Sequence, residues 1–155
     1  MIVAFTGHRP QKLGGFKLPN LIYINVCQQI DKVLKELKPE KVISGMALGV
    51  DQWAASISYK LGIPFIAAVP FIGQESVWAT ESKKIYNKLL AKAVEKVIVS
   101  DGEYSAQKLQ IRNEWLCNHS DILLAIFDGS PGGTANCIKY AKSINMKIII
   151  INPNI

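Results

Sequence analysis

Six short hydrophobic runs recur along the chain: IVAF (2–5), KVIS (41–44), PFIAAV (64–69), KVIVS (96–100), ILLAIF (122–127) and KIIII (147–151). They are continuous rather than alternating, the pattern of strands covered on both faces of a sheet. Between them the apolar residues recur with helical period. In the first such segment Tyr23, Cys27, Ile30, Leu34 and Leu37 follow steps of three and four, with Asn20 placed as N-cap and Pro39 just past the end. Segments 49–61, 80–93, 105–119 and 134–144 behave likewise. Thr80 and Ser105 stand where capping residues belong, and Gly62 closes the second helix. Six strands alternating with five helices over short connections predict an α/β fold, a mostly parallel six-stranded sheet layered by helices on both sides.

Such a fold needs a core. At 155 residues, 49% of them hydrophobic and 19% charged, the chain suffices for one domain over 1–155 and is short for two. No apolar run nears the roughly 18 residues of a membrane span. The apolar start is five residues long with no basic segment before it, so no secretory signal is expected and the location is expected to be cytoplasmic. Cys27, Cys117 and Cys137 are odd in number, widely spaced and set in apolar periodic segments, which suits buried free thiols better than disulfides or metal ligands. Neither a metal nor a cofactor is expected. Of the +6 net charge, much sits in KVLKELKPEK and in Lys83, Lys84, Lys88, Lys92 and Lys96 at helical spacing, which reads as a solvated face. Arg9, Lys12, Lys17 and Arg112 are different: they fall near candidate loops and suit an anionic ligand.

In parallel sheets, ligands bind beyond the carboxyl ends of the strands. The loops there are TGHRP, SGMALG, PFIGQESVW and FDGSPGG. SGMALGVD joins a strand to a helix through Ser44, Gly45, Met46, Ala47 and Gly49. Its glycines permit a sharp turn and a close backbone approach, and free N–H groups at the helix start suit an anion. Asp51, in the first helical turn, can cap the helix or take a ribose hydroxyl. The stretch is neither the dinucleotide fingerprint nor a P-loop, since no lysine follows the glycines, and a tight structural turn is the alternative. DGSPGGTAN repeats the logic with Asp128, Gly132, Gly133 and Thr134. Gly7, His8 and Arg9 stand at the mouth of the first strand, where an arginine can grip phosphate bidentately. Arg112 and Asn113 lie inside a helix and serve either the ligand or a surface ion pair. Phe71 and Trp78 either stack on a base or pack in the core.

The pattern S-G-x-A-x-G-V-D-x-x-A in SGMALGVDQWAA, followed by RNEWLCNHSDILLAIF and GSPGGTAN, resembles the SLOG superfamily, which unites DprA with the LOG phosphoribohydrolases. TGHRP and PFIGQESVW, with Pro70, Phe71, Gln74, Glu75 and Trp78, resemble its YpsA branch. The resemblance covers nearly the whole chain. It implies a Rossmann-like sheet in the order 4-3-2-1-5-6 and a crevice between strands one and five. It also implies a nucleotide or ADP-ribose-like ligand on the glycine loops, and a homo-oligomer. The reading that follows is a nucleotide sensor or sequestering module. LOG enzymes carry a glutamate shortly after their P-G-G-x-G-T motif. The corresponding stretch here, TANCIKYA, has no carboxylate, so N-glycosidic hydrolysis ranks second and would fall to Asp51 or Glu75. Single-stranded DNA, the ligand of DprA-like proteins, ranks third as a partner because the lysines lie on helix faces.

Overall fold

The structure, a computed structural model that describes residues 1–154, alternates strand and helix from end to end. It contains β1 (Ile2–Gly7), α1 (Leu21–Leu37), β2 (Lys41–Ser44), α2 (Val50–Lys60), β3 (Phe65–Val69), α3 (Thr80–Leu90), β4 (Glu95–Ile98), α4 (Ala106–Asn118), β5 (Ile122–Ile126), α5 (Gly133–Ser143) and β6 (Lys147–Ile151). Short 3-10 helices, Pro10–Lys12 and Gln74–Val77, follow β1 and β3. The caps were partly readable. Asn20 and Ser105 accept the backbone N–H groups of Tyr23 and Lys108. Thr80 does not cap: it is already helical, and Ala79 precedes it with no side-chain bond to the helix.

The sheet runs β4-β3-β2-β1-β5-β6, and every neighbouring pair is parallel. Strand period two splits the apolar residues between two layers. Val3, Phe5, Val42, Phe65, Leu124 and Ile126 pack with α1, α2 and α3 on one face. Ala4, Ile43, Ile66, Leu123 and Ala125 pack with α4 and α5 on the other. The expectation of full coverage fails at both edges. Ile98 in β4 and Ile150 in β6 stay 36% and 50% exposed, because an edge strand has a neighbour on one side only and the helices centre on the middle of the sheet.

The order also fixes where a cleft must open. From β1 the chain steps outward through β2, β3 and β4, then returns to lay β5 on the other side of β1, with Gly7 opposite Ile126. The connections leaving β1 and β5 therefore diverge to opposite faces, and a crevice remains between them at the carboxyl ends.

Candidate functional site

A cavity of about 290 Å³ occupies that crevice. Thr6 and Gly7 come from the end of β1, and His8, Arg9, Gln11 and Lys12 from the turn after it. Ala47 and Asp51 come from the β2–α2 junction, Leu109, Arg112 and Asn113 from α4, and Gly133 and Thr134 from the start of α5.

Arg112 organises the floor. It is 4% exposed, so the expected alternative of a surface ion pair does not hold. Helix α4 lies across β1 and β3, which turns this position toward the strand ends instead of solvent. Its Nη1 donates to the carbonyls of Gly45 (2.6 Å) and Ala68 (3.3 Å), and Nε donates to Oδ1 of Asn113 (3.1 Å). None of these bonds uses Nη2. Arg112 is itself part of the cavity lining. Burial draws the guanidinium below its ordinary value while Asp51 pulls it back up, and an arginine stays cationic through such shifts.

The glycine loop is held by its own side chains. Ser44 Oγ donates to the Asp51 carbonyl (2.7 Å) and accepts the Met46 N–H (3.1 Å), while Asp51 Oδ2 accepts the Ala47 N–H (3.3 Å). Gln74, from the loop after β3, donates Nε2 to the Gly45 carbonyl at 3.3 Å. Gly49 adopts φ +96°, and a Cβ there would stand 2.6 Å from the His8 carbonyl oxygen. That oxygen already receives the Val50 N–H at 3.4 Å. At the start of α2 the Val50 N–H is thus spent on the first loop. Neither α2 nor α5 has a side-chain cap, and the first backbone bond of α5 runs from Asn136 to Gly132. The N–H groups before Asn136 remain for a ligand.

Three cations, Arg9, Lys12 and Arg112, line this space with one carboxylate, Asp51. Burial raises the Asp51 carboxyl above its ordinary value, and the Arg112 charge opposes the rise. Lys12 spans the two loops: its Nζ donates to Ser130 Oγ at 2.7 Å and to the Pro131 carbonyl at 3.2 Å. Beside it, His8 Nε2 lies 2.8 Å from Asp128 Oδ1 and 3.0 Å from the Asp128 N–H. Nε2 serves one of these at a time, donating to the carboxylate when protonated and accepting the N–H when not. Burial lowers the His8 pKa, outweighing Asp128. Asp128 is held down to about 2, chiefly by the hydroxyl and N–H of Ser130 on Oδ1.

Of the residues expected at the site, the cavity gathers Gly7, His8, Arg9, Ala47, Asp51, Arg112, Asn113, Gly133 and Thr134. Ser44, Gly45, Met46 and Gly49 build the adjoining loop, Asp128 positions His8, and Gly132 precedes α5. Phe71 and Trp78 pack edge-on against Tyr104 and Tyr86, and Glu75 lies in the 3-10 turn outside the lining. Lys17 also falls outside it. Lys12, singled out in sequence for an anionic ligand, lines the cavity as well. Three lining residues did not figure among the expected site residues: Thr6 begins TGHRP, Gln11 directly continues it, and Leu109 stands three residues before Arg112 on the same helix face. Gln74 stands in sequence only as part of the PFIGQESVW motif, and its reach to Gly45 is a tertiary fact.

Sheet order, crevice and glycine loops together define a Rossmann-like domain of the SLOG kind. The YpsA family model, described as the YspA SLOG family, matches residues 3–154, and the chain belongs to this family. Among curated relatives, it is similar to the uncharacterized SPbeta prophage-derived protein YoqJ of Bacillus subtilis strain 168, 36% identical over 73% of this chain and 75% of the relative. The UPF0398 protein BH1768 of Halalkalibacterium halodurans is 33% identical over 91% of this chain and 80% of its own length. Among solved structures, DprA of Streptococcus pneumoniae superposes with TM-score 0.68 at 17% identity over 96% of this chain; the chain spans 49% of that protein. DprA of Helicobacter pylori, described for its single-stranded DNA binding mode, gives 0.69 at 17% identity over 97% of this chain and 64% of its own. The molybdenum cofactor binding protein of Rippkaea orientalis gives 0.62 at 15%, over 97% and 76%. At these identities the structural likeness concerns the fold alone.

Proposed function

We propose that this protein binds a nucleotide or nucleotide-derived ligand, of the nucleoside-phosphate or ADP-ribose kind, and acts as a sensor or sequestering module. One observation carries the reading: the uncapped start of α5 opens on the same cavity as Arg9, Lys12 and Arg112. Aligned backbone N–H groups and cations converging on one space suit phosphate oxygens. Asp51, beside them, is an acceptor for a ribose hydroxyl.

Isothermal titration with ADP-ribose, AMP and inorganic phosphate tests this. At least one organic phosphate binds with unit stoichiometry, and Arg9→Ala weakens it about tenfold, as expected for loss of a charge-assisted hydrogen bond. Gly133→Val gives a sharper check. A Cβ there meets nothing within 4 Å, so the fold accepts it while the branched side chain crowds the open N–H groups. Unchanged affinity in that variant sinks the assignment.

A second reading rests on Asp51, the carboxylate lining the cavity, whose raised pKa favours a proton donor. In that reading the protein hydrolyses the N-glycosidic bond of nucleoside monophosphates. Chromatography for free base after incubation with the monophosphates decides it, and release that survives Asp51→Asn excludes this acid.

A further inference from the structure

A second concavity of about 330 Å³ lies on the α1–α3 face of the sheet, behind the wall of the first. The two share the strip of backbone that carries the first site. Arg9 faces one and Pro10 the other, and Ala47 and Asp51 face one while Leu48 and Gln52 face the other. Their chemistry differs sharply. The second has three walls: Trp53 and Ser56 on α2, Ile85 and Leu89 on α3, and the loop residues Phe16 and Leu18 with Tyr23 of α1 closing the third side.

Two features specify what fits. Tyr23 and Trp53 meet edge-to-face with ring centroids 4.9 Å apart, presenting ring surface to the hollow. Phe16, Leu18 and Ile85 around it are 58%, 44% and 58% exposed, an apolar surface at a rim that the fold itself leaves uncovered. The second feature is charge. Lys88 and Lys92 belong to the lining, and no acidic residue does. Lys92 rests over the Tyr59 ring at 4.7 Å, and among the described residues no carboxylate pairs with either lysine. The volume is at the small end of ligand pockets, roughly 300 Å³ and above.

We infer that this concavity is a separate binding site for a small aromatic anion: a flat ring or fused ring seated against Trp53, Tyr23 and Phe16, bearing a carboxylate or sulfonate toward Lys88 and Lys92. The assignment stands independently of the nucleotide reading. Aromatic faces gain from offset or edge contacts with another ring, and an anion beside exposed ammonium groups gains a modest further attraction.

Titration calorimetry with 2-naphthoate, and with uncharged 2-naphthylmethanol for comparison, tests both halves. The acid binds the protein once, and the alcohol binds about fivefold more weakly. Replacing both lysines (Lys88→Gln with Lys92→Gln) removes that difference. Ser56→Trp fills the hollow and abolishes binding, and circular dichroism melting verifies that the variant folds. Should it not fold, Phe16→Ala decides, because that side chain is more than half exposed; there the affinity falls about fivefold. Absence of saturable binding, equal affinity for acid and alcohol, or affinity unchanged in both Ser56→Trp and Phe16→Ala overturns the proposal.

Discussion

A methyl group on Gly45 would lie 2.5 Å from Nη1 of Arg112 and 2.8 Å from Oδ2 of Asp51, two polar groups that no ion pair of 4.0 Å or less joins directly. Gly45→Ala must push one of them aside, and its expected cost is about 1–3 kcal/mol, read as a lower midpoint in urea unfolding. Gly133→Ala, which meets no neighbour, is the matched control and leaves the midpoint in place. Asp128 makes a pH prediction. Its carboxyl sits at about 2 instead of 3.8, so folding favours the charged form; that contribution is full above pH 3.8 and is lost as pH falls through about 2. Melting temperatures followed from pH 4 to pH 2 fall less steeply in Asp128→Asn than in the parent. His8 works in a higher window. Its lowered pKa favours the neutral ring in the fold, giving stability that is present above 6.5 and lost as pH falls through the folded value. At this scale the glycines and the TGHRP residues were legible, because their chemistry is local to the loop. The burial of Arg112 was not, because a helical window shows a polar residue among polar neighbours and says nothing of the strands beneath it.

Helix α4 is the element on which the site leans most, since Leu109, Arg112 and Asn113 all project from it. Ser105 starts it, its hydroxyl oxygen accepting the Lys108 N–H at 3.1 Å. Ser105→Ala is expected to cost about 1 kcal/mol of stability. Thr80→Ala, at a residue that resembles a cap in sequence but makes no cap bond, stays within about 0.5 kcal/mol. Chemical denaturation of the two variants side by side checks the contrast. Both residues carry a capping-type side chain ahead of a periodic segment, so sequence alone reads them alike. What separates them is one residue of register, and helix boundaries are set by how the preceding turn packs.

For the molecule as a whole, stability is graded across the sheet. β1 and β5 lie inside it with fully buried apolar residues, whereas β4 and β6 form its edges. Native-state hydrogen exchange should rank the amides of β1 and β5 slowest and those of β4 and β6 fastest among the strands; equal protection throughout would contradict a graded sheet. The six apolar runs carried the fold because a parallel sheet needs a continuous hydrophobic segment per strand. They did not reveal which strands are edges: KIIII reads as fully covered, yet it borders solvent. The strand order came from a family likeness and not from the runs themselves. One consequence concerns time rather than space. The contacts that close the first cavity join residues far apart in the chain, Lys12 to Ser130 and Asp128 to His8 among them. During synthesis the first strand must wait, its inner flank unpaired, until β5 and the start of α5 emerge. No nascent length that ends before Gly133 holds every residue that lines the first cavity, so that cavity is completed late in synthesis.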